Sequence, residues 1–407
     1  MVLVSTHGYL TELSMNTRVL ASGVALVALL SGAALADLAP PPVPVARPAP
    51  PPTASATAPV VKTGYKAVEI ASGLDHPWSL AFLPDGSILV TERKGALRVI
   101  RDGKLVAQPI AGVPPIHTGR QAGLFDVVLH PKFAENQVLY LTYASGTREA
   151  NATRVARARF DGKALSDLKV IFEAKPLKDT SAHYGARMAF LRDGTFVLTI
   201  GDGFEYRESA QDPSSHLGKN VRLNDDGTVP ADNPYRNVKG AALGLYSTGH
   251  RNQQGLAYDP VTDVLYETEH GAQGGDELNV IEPGRNYGWP LVTYGRDYSG
   301  AQISPFTSRR GLEEPVVQWT PSIAPSGTTV YRGDKFPAWN GDVFVGALAK
   351  KHVRRVDLDA NGRVVGESQL LTELGLRIRD VRTSPDGYLY VTTDDDSGKV
   401  FRIEPSN

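Results

Sequence analysis

The stretch at residues 79–93, SLAFLPDGSILVTER, decides the fold. An apolar run meets Pro-Asp-Gly and a second apolar run follows. Asp-Gly between two such runs is the chemistry of a tight β-hairpin. The phrase returns in varied form as DVVLHPKFAENQVLYLTYA (126–144), RMAFLRDGTFVLTIGDG (187–203), GLAYDPVTDVLYETEHG (255–271), TTVYRGDKFPAWNGDVFVGAL (328–348) and DVRTSPDGYLYVTTDD (380–395). Six copies at intervals of roughly 50 to 70 residues point to radial repetition, one blade per copy around a central channel. Segments such as GALRVIRDG and GKVFRIEP supply outer strands, and no long stretch carries sustained helical periodicity. The predicted fold is all-β: a six-bladed β-propeller of four-stranded antiparallel blades.

Composition agrees. The chain has 407 residues, 41% apolar and 21% charged, enough for a large core. Its 40 glycines and 29 prolines suit a turn-rich β protein. A formal net charge of −1 gives no electrostatic case for nucleic acid or an anionic membrane as partner. With no cysteine, any metal must sit on oxygen or imidazole.

The N-terminus reads as a targeting segment. After a polar leader, Met15 opens a short region carrying Arg18, residues 19–30 form an apolar run, and Ala34-Leu35-Ala36 is an A-x-A cleavage box. The run is too short to span a bilayer comfortably. Residues 1–36 are therefore expected to be leader and signal peptide, with Met15 the expected true start and cleavage near Ala36. The product would be periplasmic or secreted, without membrane insertion, and monomeric. Residues 37–62 form a Pro/Ala-rich linker, and 63–407 the catalytic propeller.

In a propeller, the loops at one end of the hairpins meet at the channel mouth, so chemistry is sought there. Polar residues cluster at those positions: Gln121 in GRQAGLFD, His183 and Arg187 in SAHYGARM, GHRNQQG at 249–255, and Arg377 with Arg379 in GLRIRDV. One histidine among several arginines suits a base beside a bound polyanion. GDGFEY follows a strand inside the hairpin repeat and lacks the glycine register of a dinucleotide fold. In GGDELNVIEPGRNYGWP, Asp276, Glu277 and Tyr287 offer hard oxygen donors that suit Ca²⁺, with a salt-bridged loop as the alternative.

Three motifs in order, GHRNQQGLAYDP, EHGAQGGDELNVIEPGRNYGWP and IRDVRTSPDGYLYVTTDD, resemble the soluble PQQ-dependent sugar dehydrogenases, nearest to the aldose sugar dehydrogenase branch. The likeness covers residues 66–405. It implies a six-bladed propeller that binds pyrroloquinoline quinone (PQQ) and Ca²⁺ in the periplasm. It would oxidise aldoses at C1 to the lactone and pass electrons to an external acceptor. By the resemblance, His183 is the catalytic base and Arg251 polarises the quinone carbonyl. Asn252 is a further cofactor contact, Gln121 lines the sugar pocket, and Arg377 and Arg379 grip the cofactor's carboxylates. Ser322 keeps a hydroxyl where the family often has Thr. The fifth-blade lysine falls in ungapped register on Ala349, with Lys350 beside it as the expected contact. Backbone carbonyls of Gly271 and Ala272 would hold the cofactor-bound Ca²⁺, and Glu277 and Tyr287 a structural one. Ala272 stands where proline is familiar, and His270 where the glucose enzyme has glutamine. The insertions of that longer enzyme are absent, which implies a more open pocket and broader sugar acceptance.

Two other classes compete. A calcium-dependent propeller lactonase or other hydrolase shares fold and ion but needs no arginine pair. A non-catalytic binding module would carry exposed loop aromatics, with Trp319 and Trp339 as candidates, and would be indifferent to His183.

Overall fold

The computed structural model describes residues 53–54 and 58–406. The leader, cleavage box and most of the linker lie outside the described residues. Six sheets follow one another along the chain. The first blade is built from Pro77–Phe82, Ile88–Glu92, Ala96–Arg101 and Lys104–Leu105. The second has Leu124–Leu129, Val138–Gly146, Asn151–Phe160 and Leu165–Glu173, and the third has Met188–Phe190, Phe196–Ile200, Lys219–Leu223 and Leu245–Thr248. The fourth comprises Gln253–Asp259, Val264–Glu269, Asp276–Val280 and Val317–Trp319, and the fifth Pro325–Val330, Val343–Ala347, His352–Leu358 and Val364–Leu370. The sixth takes Ile378–Thr383, Leu389–Thr393 and Gly398–Pro405 from the end of the chain and Tyr65–Leu74 from its beginning. That last pairing, Tyr65 opposite Pro405 through to Leu74 opposite Gly398, closes the ring. Each repeated phrase supplies the two inner strands of one blade. Part of the linker also pairs: Thr53–Ala54 lies parallel to Val317–Gln318 on the fourth blade, and Val60 bridges Gln369 on the fifth.

The hairpin turns follow from their residues. Gly86, Gly194 and Gly387 each adopt a φ of +83°, which L side chains rarely take. Ahead of two of them, Asp85 and Asp193 accept the backbone N–H of the residue after the glycine, each at 2.9 Å.

The inner strands read as near-continuous apolar runs because both faces of a blade are covered. Along Val138–Gly146, Leu139 and Leu141 pack on Leu89 and Leu97 of the first blade. Their neighbours Val138 and Tyr140 pack on Phe196 and Leu198 of the third. Equivalent layers join each remaining pair of adjacent blades. Burying each such aliphatic side chain contributes about 1.5–3 kcal/mol.

Charge, rather than apolar bulk, fills the channel. Arg187 is 1% exposed, with its guanidinium 3.0 Å from Asp380 and 3.7 Å from Asp126, stacked 3.9 Å over the Trp78 ring. Arg382 pairs with the same two carboxylates at 2.8 and 2.9 Å. Four charged side chains thereby tie together the inner strands of the second, third and sixth blades.

Candidate active site

A cleft opens at the channel mouth, where the loops leading into and out of the inner strands converge. Gln121 lines it from the second blade, Tyr184 from the third, Asn252 and His270 from the fourth, and Arg377 and Arg379 from the sixth. The first and fifth blades complete it with Trp78, Arg93 and Leu348. Beneath it, Trp78, Phe125 and Tyr184 form an aromatic floor with successive ring centroids 5.3 Å apart.

His183, buried and directly preceding Tyr184 and Gly185 of the lining, has a φ of +48°, in the strained left-handed region. Its conformation is fixed from several directions. The His183 N–H donates to Gln121 Oε1 at 2.8 Å, and Gly201 runs so close that a Cβ there would lie 2.4 Å from the His183 carbonyl. The ring's Nδ1 lies 2.7 Å from Asp202 Oδ1. Asp202 also accepts the Phe204 N–H and the Trp289 indole N–H, both at 2.8 Å. Burial opposes ionisation of Asp202, yet His183, Arg251 and the Phe204 N–H outweigh it and hold the carboxyl below the usual range. Burial likewise depresses the His183 imidazole, only partly offset by Asp202. The pair is thus a carboxylate accepting from Nδ1–H, with a neutral ring whose Nε2 carries the free lone pair.

Arg251 lies on the other side of Trp289, 5.3 Å over its ring. Its backbone N–H donates to Glu269 at 2.6 Å, and Nη1 donates to the carbonyls of His270 (3.1 Å) and Gly271. Among the described residues no acceptor meets Nε or Nη2, so both are available to a ligand. At the far end of the cleft, Arg377 and Arg379 both donate to Asp394 Oδ2, at 3.0 and 2.9 Å, with Arg93 4.0 Å from its other oxygen. Three guanidiniums share one carboxylate, and Arg379 Nε is buried with no acceptor among the described residues.

Below Arg251 sits a buried acidic cluster. His250 Nδ1 lies 3.0 Å from Glu267 and 3.3 Å from Glu269. Burial would lower this imidazole, but the two carboxylates lift it to about 10, so His250 is a structural cation. Glu277 is pushed up to about 8 by burial and by Glu269, and Asn279 Oδ1 beside them is buried without a donor among the described residues. Asp276, by contrast, is fully engaged: it accepts from Ser322 Oγ (2.6 Å) and the N–H groups of Ile323, Ala324 and Gly271.

The structure therefore sets Gln121, Asn252, Arg377 and Arg379 around one cleft, with His183 buried next to its Tyr184 and Gly185 and Arg251 lining a smaller pocket that shares His270 with it. Other expected site residues lie differently. The Ser322 hydroxyl is spent on Asp276. Lys350 is exposed, and its carbonyl accepts from His352 Nδ1 at 3.0 Å. The Gly271 carbonyl faces Arg251, and Ala272 lies beside it, 7% exposed. The Tyr287 hydroxyl is committed to the Val280 carbonyl (2.6 Å) and the Glu282 N–H (2.8 Å), so any ligand atom from Tyr287 is its carbonyl. Arg187 belongs to the channel. The aromatics expected of a binding module also lie elsewhere: Trp319 is fully buried and donates to Glu367 at 2.8 Å, while Trp339 stacks on Phe336.

Sequence reasoning missed Asp202, Trp289, Glu269 and Asp394. Each stands at the outgoing end of an inner hairpin or in the glycine-bracketed loop beyond it, in GDG, NYGWP, ETEHG and TTDD. Reading the outgoing ends as carefully as the incoming ones would have found them.

Residues 74–402 match the family model described as Glucose / Sorbosone dehydrogenase. The chain is 42% identical over 341 residues to the aldose sugar dehydrogenase YliI of Escherichia coli, covering 82% of this chain and 91% of that one. The crystal structure of the soluble aldose sugar dehydrogenase of Escherichia coli in its apo form superposes with a TM-score of 0.81 at 39% identity, covering 84% of this chain and 100% of that one. The PQQ-bound aldose sugar dehydrogenase of Streptomyces coelicolor superposes with a TM-score of 0.70 at 27% identity, covering 86% and 100%. With a matched family model over most of its length and a six-bladed propeller to carry it, the chain belongs to the glucose/sorbosone dehydrogenase family of oxidoreductases.

Proposed function

We propose that the protein oxidises aldose sugars at C1 to the lactone, using PQQ and Ca²⁺ and passing electrons to an external acceptor. The observation that carries this reading is the His183–Asp202 pair: a neutral, tautomer-fixed base at the side of a cleft whose far end is strongly cationic. The donor set suits a planar tricarboxylate. Arg377, Arg379 and Arg93 exceed the charge of Asp394, and Arg379 keeps a buried donor without a partner. The PQQ-bound relative from Streptomyces supports the same assignment.

When bound, the quinone supplies the hydride acceptor that no side chain can provide. His183 Nε2 accepts the proton of the sugar's C1 hydroxyl, and Asp202 stabilises the imidazolium that results. Gln121, already hydrogen-bonded to the His183 backbone, orients the sugar beside it. Arg251 directs Nε and Nη2 at the charge that develops in the transition state. Asn252 flanks the same position, while Arg377 and Arg379 hold carboxylates. Ser322 and Lys350 lie outside this first set of contacts. Calcium suits the acidic cluster, and the Gly271–Ala272 carbonyls beside the cleft would hold a second ion once Arg251 Nη1 releases the Gly271 carbonyl. In the cluster, Glu277 and the Tyr287 carbonyl offer oxygens to an ion that relieves carboxylate crowding, in place of the Asn279 Nδ2 that now donates to Glu277 and Glu269.

The test is reconstitution of the apoprotein with PQQ and Ca²⁺, followed by dye reduction with glucose, arabinose and maltose. Dye reduction with lactone formation is the expected result. Absence of both, with no shift of the quinone absorbance on binding, would overturn the reading. A hydrolase would instead open lactones without PQQ.

A further inference from the structure

Behind the Tyr184 wall of the cleft lies a charge that the proposed chemistry leaves unused. Lys178 is 2% exposed, and its ammonium has three neighbours: Asn151 Oδ1 at 3.0 Å, the Thr180 carbonyl, and the face of the Tyr184 ring at 3.5 Å. All three are neutral. Asp202 and Asp179 attract the ammonium from farther away, and Arg120 repels it. Lys178 adds to burial in depressing the imidazoles of His183 and His117.

The lysine is fixed from several sides. Its backbone N–H and carbonyl exchange hydrogen bonds with those of Asn151, both at 2.9 Å. Asn151 Oδ1, itself buried, also accepts the Tyr184 hydroxyl at 2.6 Å, so ammonium and ring share one acceptor. Gly203, in the loop that carries Asp202, runs so close that a Cβ there would lie 2.9 Å from Lys178 Cδ. Thr180 Oγ1 donates to the Gly203 carbonyl and ties that loop down.

An ammonium buried on neutral partners is costly, and burial pushes this one down to about 7. A methionine would fill the space without that cost. What the position offers is a field. Tyr184 lines the cleft, and a charge set behind a buried ring is screened far less than one in water. Arg93, Arg377 and Arg379 already outweigh Asp394 at the far end, so Lys178 adds a cation from the third blade.

We propose that Lys178 is a positioning residue for an anionic ligand of the cleft: held against Tyr184, it stabilises the ligand's negative charge without touching it. This rests on the PQQ reading above for the identity of the ligand. By reciprocity, an anion in the cleft must tighten the lysine's hold on its proton by the factor by which that proton tightens the anion.

The test follows the titration of Lys178 Nζ by NMR in the full chain supplied with Ca²⁺, with and without PQQ. It also measures PQQ affinity at about pH 6, below the lysine's own titration, in wild type, Lys178→Met and Asn151→Asp. The aspartate keeps the lysine and its packing but sets a carboxylate against the ammonium. Expected are an about tenfold tighter hold on the proton when PQQ is bound, and PQQ binding about tenfold weaker in both variants. A titration unmoved by PQQ would overturn the proposal. So would weakening in Lys178→Met alone, which would make the lysine a packing residue. Trimesate, a flat benzene tricarboxylate, is the second probe. If it raises the Lys178 titration in a protein that binds no PQQ, the counter-charge stands and the quinone reading falls.

Discussion

His183 Nδ1 sits 2.7 Å from Asp202 Oδ1, and the two side chains are 5% and 1% exposed, so the imidazole and the carboxylate share one buried compartment. Burial is the larger influence on His183 and favours the neutral ring. As the proposed base, His183 must be unprotonated, so kcat/KM is expected to fall on the acid side only below the ordinary imidazole pKa of about 6.5. Asp202→Asn removes the carboxylate that partly restores basicity, moving the acid limb lower still. The asparagine can also donate to Nδ1 and select the wrong tautomer, costing about 10²- to 10⁴-fold in kcat. Steady-state pH profiles of both proteins decide this; equal plateaus would refute the pairing's role.

Arg379 and Arg377 share Asp394 but differ in exposure, at 8% and 44%. A buried charge-assisted hydrogen bond is worth about 1.5–3 kcal/mol, whereas an exposed ion pair contributes about 0–1 kcal/mol. Arg379→Ala is therefore expected to weaken PQQ binding by about 10- to 100-fold and Arg377→Ala by less. Titration of apoprotein with PQQ, followed by quinone absorbance, measures both. Wild-type affinity in Arg379→Ala would rule out this end of the cleft as the carboxylate grip.

The blades were legible because their signal is local and repeated. Asp85-Gly86, Asp193-Gly194 and Asp386-Gly387 each dictate a turn, and apolar runs such as residues 138–144 dictate burial on both faces. Arg251, Arg377 and Arg379 were legible as polar residues at strand mouths. What local pattern cannot carry is partnership across blades. Nothing near Asp202 in sequence announces that its two oxygens serve His183 and Trp289, the latter 87 positions away. Likewise GHRNQQG reads as polar residues at the channel mouth, yet His250 is fully buried, paired with Glu267 and Glu269 from the second strand of the fourth blade, Val264–Glu269.

Calcium at the acidic cluster is expected to couple to stability through Glu277. Its carboxyl is raised from 4.5 to about 8 in the folded protein, so the fold holds this proton more tightly than the unfolded chain does. Its contribution is complete below the unfolded value and is lost as pH rises through about 8. Calcium-free protein should thus lose thermal stability across that interval, and added Ca²⁺ should restore it, by about 2.7 kcal/mol at a hundredfold excess over Kd. Glu277→Gln should flatten the pH dependence and abolish the calcium response. A Tm shift with Ca²⁺ that survives in Glu277→Gln would place the ion elsewhere.

Arg187 should prove more important to the fold than its distance from the chemistry suggests. It faces Asp380 and Asp126 in the channel, its Nε donates to the Gln254 carbonyl at 2.7 Å, and Nη2 donates to the Arg379 carbonyl at 3.2 Å. Removing one member of a buried ion cluster leaves the opposite charge without compensation, at a cost of about 3–5 kcal/mol. Arg187→Met is expected to cost that much in urea denaturation, softened because Arg382 still pairs with both aspartates. Adding Asp380→Asn removes the stranded charge, so the double variant should be more stable than the sum of the two singles predicts. Because Arg187 also holds the backbone of Arg379, the methionine variant should bind PQQ more weakly even where it remains folded. Strict additivity of the two substitutions would mean that the channel charges are screened and do not act as one cluster.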